Sequence, residues 1–61
     1  MKTITKEEFS QIAHNAGFDP EYSGKNRTFY LHPKSGAEVI NEQTILDVIR
    51  NYHTKFTVIL Q

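Results

Sequence analysis

The residues of this chain that could do chemistry are three histidines, three serines, an unbalanced cluster of cations and a few carboxylates. His14, His32 and His53 are spaced 18 and 21 positions apart. No two stand four apart on one helix, and no HExxH-type motif surrounds them, so a histidine metal site is not expected. The absence of cysteine removes thiolate zinc sites and disulfides together. His32 is flanked by Tyr30 and Lys34 and could act as a base. No acid or nucleophile stands at a fixed spacing to it, which leaves general acid–base work without its second group. Ser10 falls inside a helical pattern, and Ser23 and Ser35 fall in glycine-adjacent turns. None makes the strand–GxSxG–helix elbow that activates a serine. Gly17, Gly24 and Gly36 are isolated, so no phosphate-cradling loop is present. The sequence therefore points away from an enzyme, with no catalytic residue and no cofactor expected.

One stretch stands out. Gly24 to Lys34 reads Gly-Lys-Asn-Arg-Thr-Phe-Tyr-Leu-His-Pro-Lys and carries Lys25, Arg27 and Lys34 without an acid. Cations interleaved with Tyr30 and His32 on a strand are what phosphate contact and base stacking require. Against this, seven basic residues balance seven acidic ones, giving zero net charge and a pI near 6.8. A neutral chain is not a bulk polyanion binder. The acids Asp19, Glu21, Glu38, Glu42 and Asp47 lie outside the stretch, a bipolar arrangement that equally suits protein recognition.

The elements that would position these groups are legible in the pattern. Thr5-Lys6-Glu7-Glu8 is a capping box, with Ile4 and Phe9 placed as a hydrophobic staple. Phe9, Ile12, Ala13 and Ala16 then recur on one helical face, predicting a helix over Lys6–Ala16 that Gly17 ends. Asp19 to Asn26 reads as a loop. Arg27 to His32 alternates, with Phe29 and Leu31 inward and Thr28, Tyr30 and His32 outward. Pro33-Lys34-Ser35-Gly36 is turn chemistry leading to a second short strand, Ala37 to Ile40. Asn41 caps a second helix whose stripe is Ile45, Val48, Ile49 and Tyr52, widened by Leu46 and failing near Asn51 to Thr54. Lys55 to Gln61 is a strand with Phe56, Val58 and Leu60 on one face and Thr57 and Ile59 on the other.

Helix, strand, strand, helix, strand predicts one two-layer α+β domain over residues 1–61, with both helices on one face of a small antiparallel sheet. The crossover through the second helix places the last strand beside the first and antiparallel to it, in spatial order 2-1-3. Sixty-one residues bury a modest core, so oligomerisation is a natural support. The last strand is apolar on both faces and would template pairing with another chain if it lies at an edge. Phe56, Thr57, Ile59 and Gln61 are the expected interface, and a homodimer the expected assembly. No run is long enough to span a membrane and no signal-peptide pattern follows Met1, giving a soluble, cytoplasmic expectation without membrane contact.

Ala16-Gly17-Phe18 closing a helix, the polar loop to Gly24, Phe29-Tyr30-Leu31-His32-Pro33, and Thr44-Ile45-Leu46-Asp47-Val48-Ile49 together resemble the HicA-type toxins of toxin–antitoxin systems. Those are small RNA-cleaving proteins with a fold similar to double-stranded RNA-binding domains. The resemblance covers about residues 5 to 53. It implies the same element order and contact with RNA. The family's catalytic histidine closely follows the loop glycine, in a Gly-Ser-His pattern; here the matching residues are Gly24-Lys25-Asn26-Arg27, with no histidine. Two readings follow: a non-enzymatic accessory or regulatory protein acting through protein contact, including self-contact, and an RNA- or DNA-binding protein using Lys25, Arg27, Tyr30, His32 and Lys34.

Overall fold

A computed structural model describes residues Lys2–Gln61. Two helices, α1 (Lys6–Asn15) and α2 (Glu42–Asn51), pack with a three-stranded sheet of β2 (Phe18–Ser23), β3 (Thr28–Pro33) and β5 (Thr57–Leu60). A separate two-stranded ladder joins β1 (Lys2–Thr3) to β4 (Tyr52–His53) in parallel. Apart from that ladder, the order is the expected helix-strand-strand-helix-strand of an α+β domain.

α1 begins as its sequence dictates. The Glu8 amide donates to Thr5 Oγ1 and the Thr5 amide donates to Glu8 Oε1, both at 3.1 Å. Hydrogen bonding of the Glu8 carboxylate to the Thr5 backbone amide, and to its side chain, stabilises the charged form and holds the Glu8 pKa below its ordinary value of 4.5. α2 starts at Asn41, whose side chain accepts from the Thr44 amide at 3.3 Å. The two helices are joined near Gly17. The Gly17 amide donates to His14 O at 3.2 Å, Lys34 N–H donates to Gly17 O at 2.9 Å, and Asn41 N–H donates to Ala16 O at 2.9 Å. Gly17 has φ +94°, and a Cβ there would stand 2.6 Å from the backbone oxygen of Val39.

The core lies on one face of the sheet. Phe9 and Ala13 from α1, Ile45 and Val48 from α2, and Phe18, Phe29 and Leu31 from the sheet are all buried. Phe9, Phe29 and Phe56 form a closed aromatic triangle with centroids 4.8–5.1 Å apart. Edge and tilted ring contacts of this kind add to the area they bury. Val58 and Leu60 pack against the same cluster.

Several expectations need correction. Asp19 to Asn26 is not all loop: Phe18–Ser23 is a strand and pairs antiparallel with β3. Ala37 to Ile40 is not a strand. The turn read at Pro33–Gly36 forms one residue later: Pro33 ends β3, and Ala37 N–H donates to Lys34 O at 3.2 Å, closing a turn over 34–37 that leads the chain toward α2. The hairpin is therefore β2–β3, closed by residues 24–27. That change reverses the last strand. The crossover through α2 leaves from β3 itself, so β5 runs parallel to β3 and not antiparallel, and the sheet is mixed. Its position beside the strand carrying Phe29 and Leu31 is as expected.

α2 also docks more narrowly than its apolar residues suggested. Ile45 is fully buried, but Ile49 is 39 % and Leu46 42 % exposed. The register accounts for both prolines. The bond from Lys34 N–H to Gly17 O marks 17 and 34 as a hydrogen-bonded pair. Alternation then makes Phe18–Pro33 and Pro20–Leu31 non-bonded pairs, where β2 and β3 ask no amide hydrogen of either proline.

Two stability outcomes follow from this packing. Gly17→Ala should cost about 2–4 kcal/mol, because the left-handed backbone and the approach of Val39 oppose any side chain. Ile45→Ala should cost about 2–5 kcal/mol and Ile49→Ala about 1 kcal/mol or less. Urea unfolding midpoints of the three variants check both; equal losses at 45 and 49 would overturn the assigned face of α2.

Candidate interaction surface

The face of the sheet opposite the core carries the outward residues of all three strands. Cross-strand register aligns Glu21, Tyr30 and Ile59 in one row. Asp19 and His32 form the next row, and Ser23, Thr28 and Thr57 the one on the other side. Tyr30 is half-buried among its neighbours and Ile59 is 40 % exposed. The alternation read from the sequence therefore holds for Ile59, Thr57 and Tyr30. Thr28 also points outward, yet it is buried, and its hydroxyl donates to Asn26 O at 3.0 Å.

The strand order β2-β3-β5 leaves two sheet edges, and they differ chemically. On β2, the residues facing away from β3 are Phe18, Pro20 and Tyr22, so the middle position has no N–H to offer. Proline at that place blunts an edge against added strands. On β5, Thr57 N–H donates to Arg27 O at 2.9 Å and Gln61 N–H donates to Leu31 O at 3.0 Å. Alternation turns the backbone groups of Val58 and Leu60 the other way, toward the free edge. The segment Thr57-Val58-Ile59-Leu60 carries no proline, no glycine and no charge. Thr57, Ile59 and Gln61 thus present side chains on the open face, beside an unblunted edge. Phe56, expected among the interface residues, lies instead in the aromatic triangle of the core.

The basic stretch is divided. Lys25 and Arg27 occupy the β2–β3 turn, while Lys34 follows the far end of β3, roughly 20 Å away along the strand. Lys34 Nζ lies 3.4 Å from His14 Nε2. His32 Nε2 lies 3.6 Å from the Glu21 carboxylate. Tyr30 and His32 therefore share their face with Asp19 and Glu21, acids from the segment that reads as loop. The three histidines occupy α1, β3 and β4, and among the described residues no three His, Asp or Glu side chains gather as a metal site.

Two features of the surface were not anticipated. A shallow groove of about 590 Å³ runs between α1 and β2, floored by Pro20, Tyr22 and Phe29 and rimmed by Lys6, Gln11 and His14. A second, of about 430 Å³, gathers Lys6, Arg27 and Lys55 from three distant segments. Neither could be read without knowing that Phe18–Ser23 is a strand, because that strand forms a wall of both.

No family model, curated protein or solved structure matches the chain. No helix among the described residues is long and apolar enough to cross a membrane.

The asymmetry of the edges has a direct test. Pro20→Thr restores a donor at the centre of the β2 edge and favours strand geometry. It should introduce concentration-dependent association that the parent chain lacks at that edge, detectable as slowed β2 amide exchange at high protein concentration. Unchanged exchange at β2 would mean that α1, not Pro20, protects the edge.

Proposed function

We propose that this chain is a small non-enzymatic accessory or regulatory module acting through protein–protein contact, and that its partner on β5 is a second copy of itself. The observation that carries this reading is the unblunted β5 edge beside Ile59 on the open sheet face. Pairing two β5 strands antiparallel about a two-fold axis would extend the three strands into one six-stranded sheet. The Val58 and Leu60 backbone groups would then exchange ladder bonds with those of the copy. The four uncharged residues of the strand meet their own duplicates without like-charge repulsion. Ile59 and Tyr30 of both copies would merge into one apolar patch.

An edge of four residues is short, and stable interfaces bury on the order of 1,000 Å² or more. Association is accordingly weak, in the micromolar-to-millimolar range. Nucleic-acid binding through Lys25, Arg27, Tyr30, His32 and Lys34 has less support, because Lys34 lies far from the other two cations and Asp19 and Glu21 flank Tyr30 and His32.

Sedimentation equilibrium over that concentration range should show a monomer–dimer equilibrium for the wild type. Ile59→Lys should remain monomeric with unchanged circular dichroism, since the substitution falls on the open face and leaves the core-facing residues untouched. A wild type that stays monomeric at the highest concentration removes self-association through β5.

A further inference from the structure

The second groove brings together cations that are far apart in sequence. Lys6 is in the first turn of α1, Arg27 ends the β2–β3 turn, and Lys55 precedes β5. The bond from Thr57 N–H to Arg27 O fixes the last two segments side by side. Lys6 Nζ stands 4.7 Å above the centre of the Tyr22 ring, which also lines the groove. Glu7 is the one acid among the lining residues. Among the described residues none of the three cations is ion-paired. With one carboxylate against three cations, the groove carries a net positive charge that favours an anion.

Arg27 also stands apart in its backbone. Its φ is +51°, and it is the non-glycine residue with positive φ among those described. Gly17 and Gly36 fill the other positive-φ positions. Glycine or asparagine would hold this left-handed turn position at lower cost. The planar fork of arginine suits phosphate oxygens two at a time, with lysines as point charges around it. Ile4, Tyr22 and Phe56 supply an apolar wall beside the cations. The volume is within the range of small-ligand sites.

We infer that this groove binds a nucleoside phosphate, the phosphates held by Lys6, Arg27 and Lys55 and the base lodged against the apolar wall of Ile4 and Phe56. The inference is independent of self-association through β5, which uses other residues. Its test uses the full chain, ¹⁵N-labelled, titrated with ADP, with adenosine, and with a single-stranded RNA oligonucleotide at low salt. ADP should give saturable amide shifts concentrated at Lys6, Tyr22, Arg27, Lys55 and Phe56, with adenosine at least about tenfold weaker, since the charge-assisted bonds are lost. Arg27→Gln should weaken ADP about tenfold or more, and Lys34→Gln should leave it unchanged. Arg27→Gly should abolish binding while the melting midpoint holds or rises, which separates loss of the ligand from loss of the fold. No saturable ADP shift, equal binding of ADP and adenosine, or an unaffected Arg27→Gln would overturn the assignment. So would RNA shifting the same amides at tenfold lower concentration, which would make the groove a backbone-phosphate site of nucleic acid.

Discussion

The architecture turns on what happens at Gly17. Backbone hydrogen bonds from three directions converge on residues 16 and 17: those to Ile12, Ala13 and His14 end α1, one from Lys34 begins the β2–β3 ladder, and one from Asn41 brings in the residue that caps α2. The approach of Val39 is so close that no side chain fits. With a positive φ as well, glycine is the residue that meets both demands. The consequence is that the helix pair is not positioned by helix–helix packing alone. Backbone bonds fix where α2 starts relative to where α1 stops, and the narrow docking stripe of α2 then suffices. Ile45 and Val48 can anchor the helix because its first turn is already held.

Most of the helical content was legible because helices announce themselves locally. The Thr5–Glu8 cap and the Phe9, Ala13 and Ala16 spacing act within four residues of each other, and they form as read. The outward placement of Ile59 and the inward placement of Phe29 and Leu31 were also legible, since strand alternation is local too. β2 was not. Asp19, Glu21 and Ser23 face outward, and Pro20 occupies a position that costs an interior strand its ladder bond but costs an edge strand nothing. A polar, proline-containing strand at an edge is chemically similar to a loop. The Pro33–Gly36 stretch misled for a related reason: Pro33 ends β3 and the turn forms one residue later, over 34–37 with Gly36 at φ +80°, and turn chemistry fixes a change of direction and not what the chain pairs with afterward.

The candidate sites divide along the same line. Thr57, Ile59 and Gln61 could be assigned from one strand's alternation, while the grouping of Lys6, Arg27 and Lys55 depends on three separate segments meeting. Proximity in sequence favoured Lys34 as the companion of Lys25 and Arg27, and a six-residue strand carries it away. Phe56 was drawn into the interface by its neighbours, yet its ring completes the aromatic triangle with Phe9 and Phe29. Reading one strand gives its faces, and the pairing of strands decides which face a charge or ring can share.

The short parallel ladder of β1 with β4 bears on the order in which the molecule can assemble. Lys2 and Thr3 pair with Tyr52 and His53, and the Ile4 amide donates to His53 O at 3.3 Å. Ile4 is buried, so part of the core is closed by residues about fifty positions apart. β3 likewise finds β5 only after α2 has been traversed. Closing such long loops is an entropic cost borne before the contacts reward it, so the rate of folding should be set by these late, distant pairings and not by helix formation. During synthesis on a ribosome, α1 and the β2–β3 hairpin emerge with their apolar faces uncovered. The aromatic triangle closes only when Phe56 has left the exit tunnel, which makes this a fold completed after the described chain has been made.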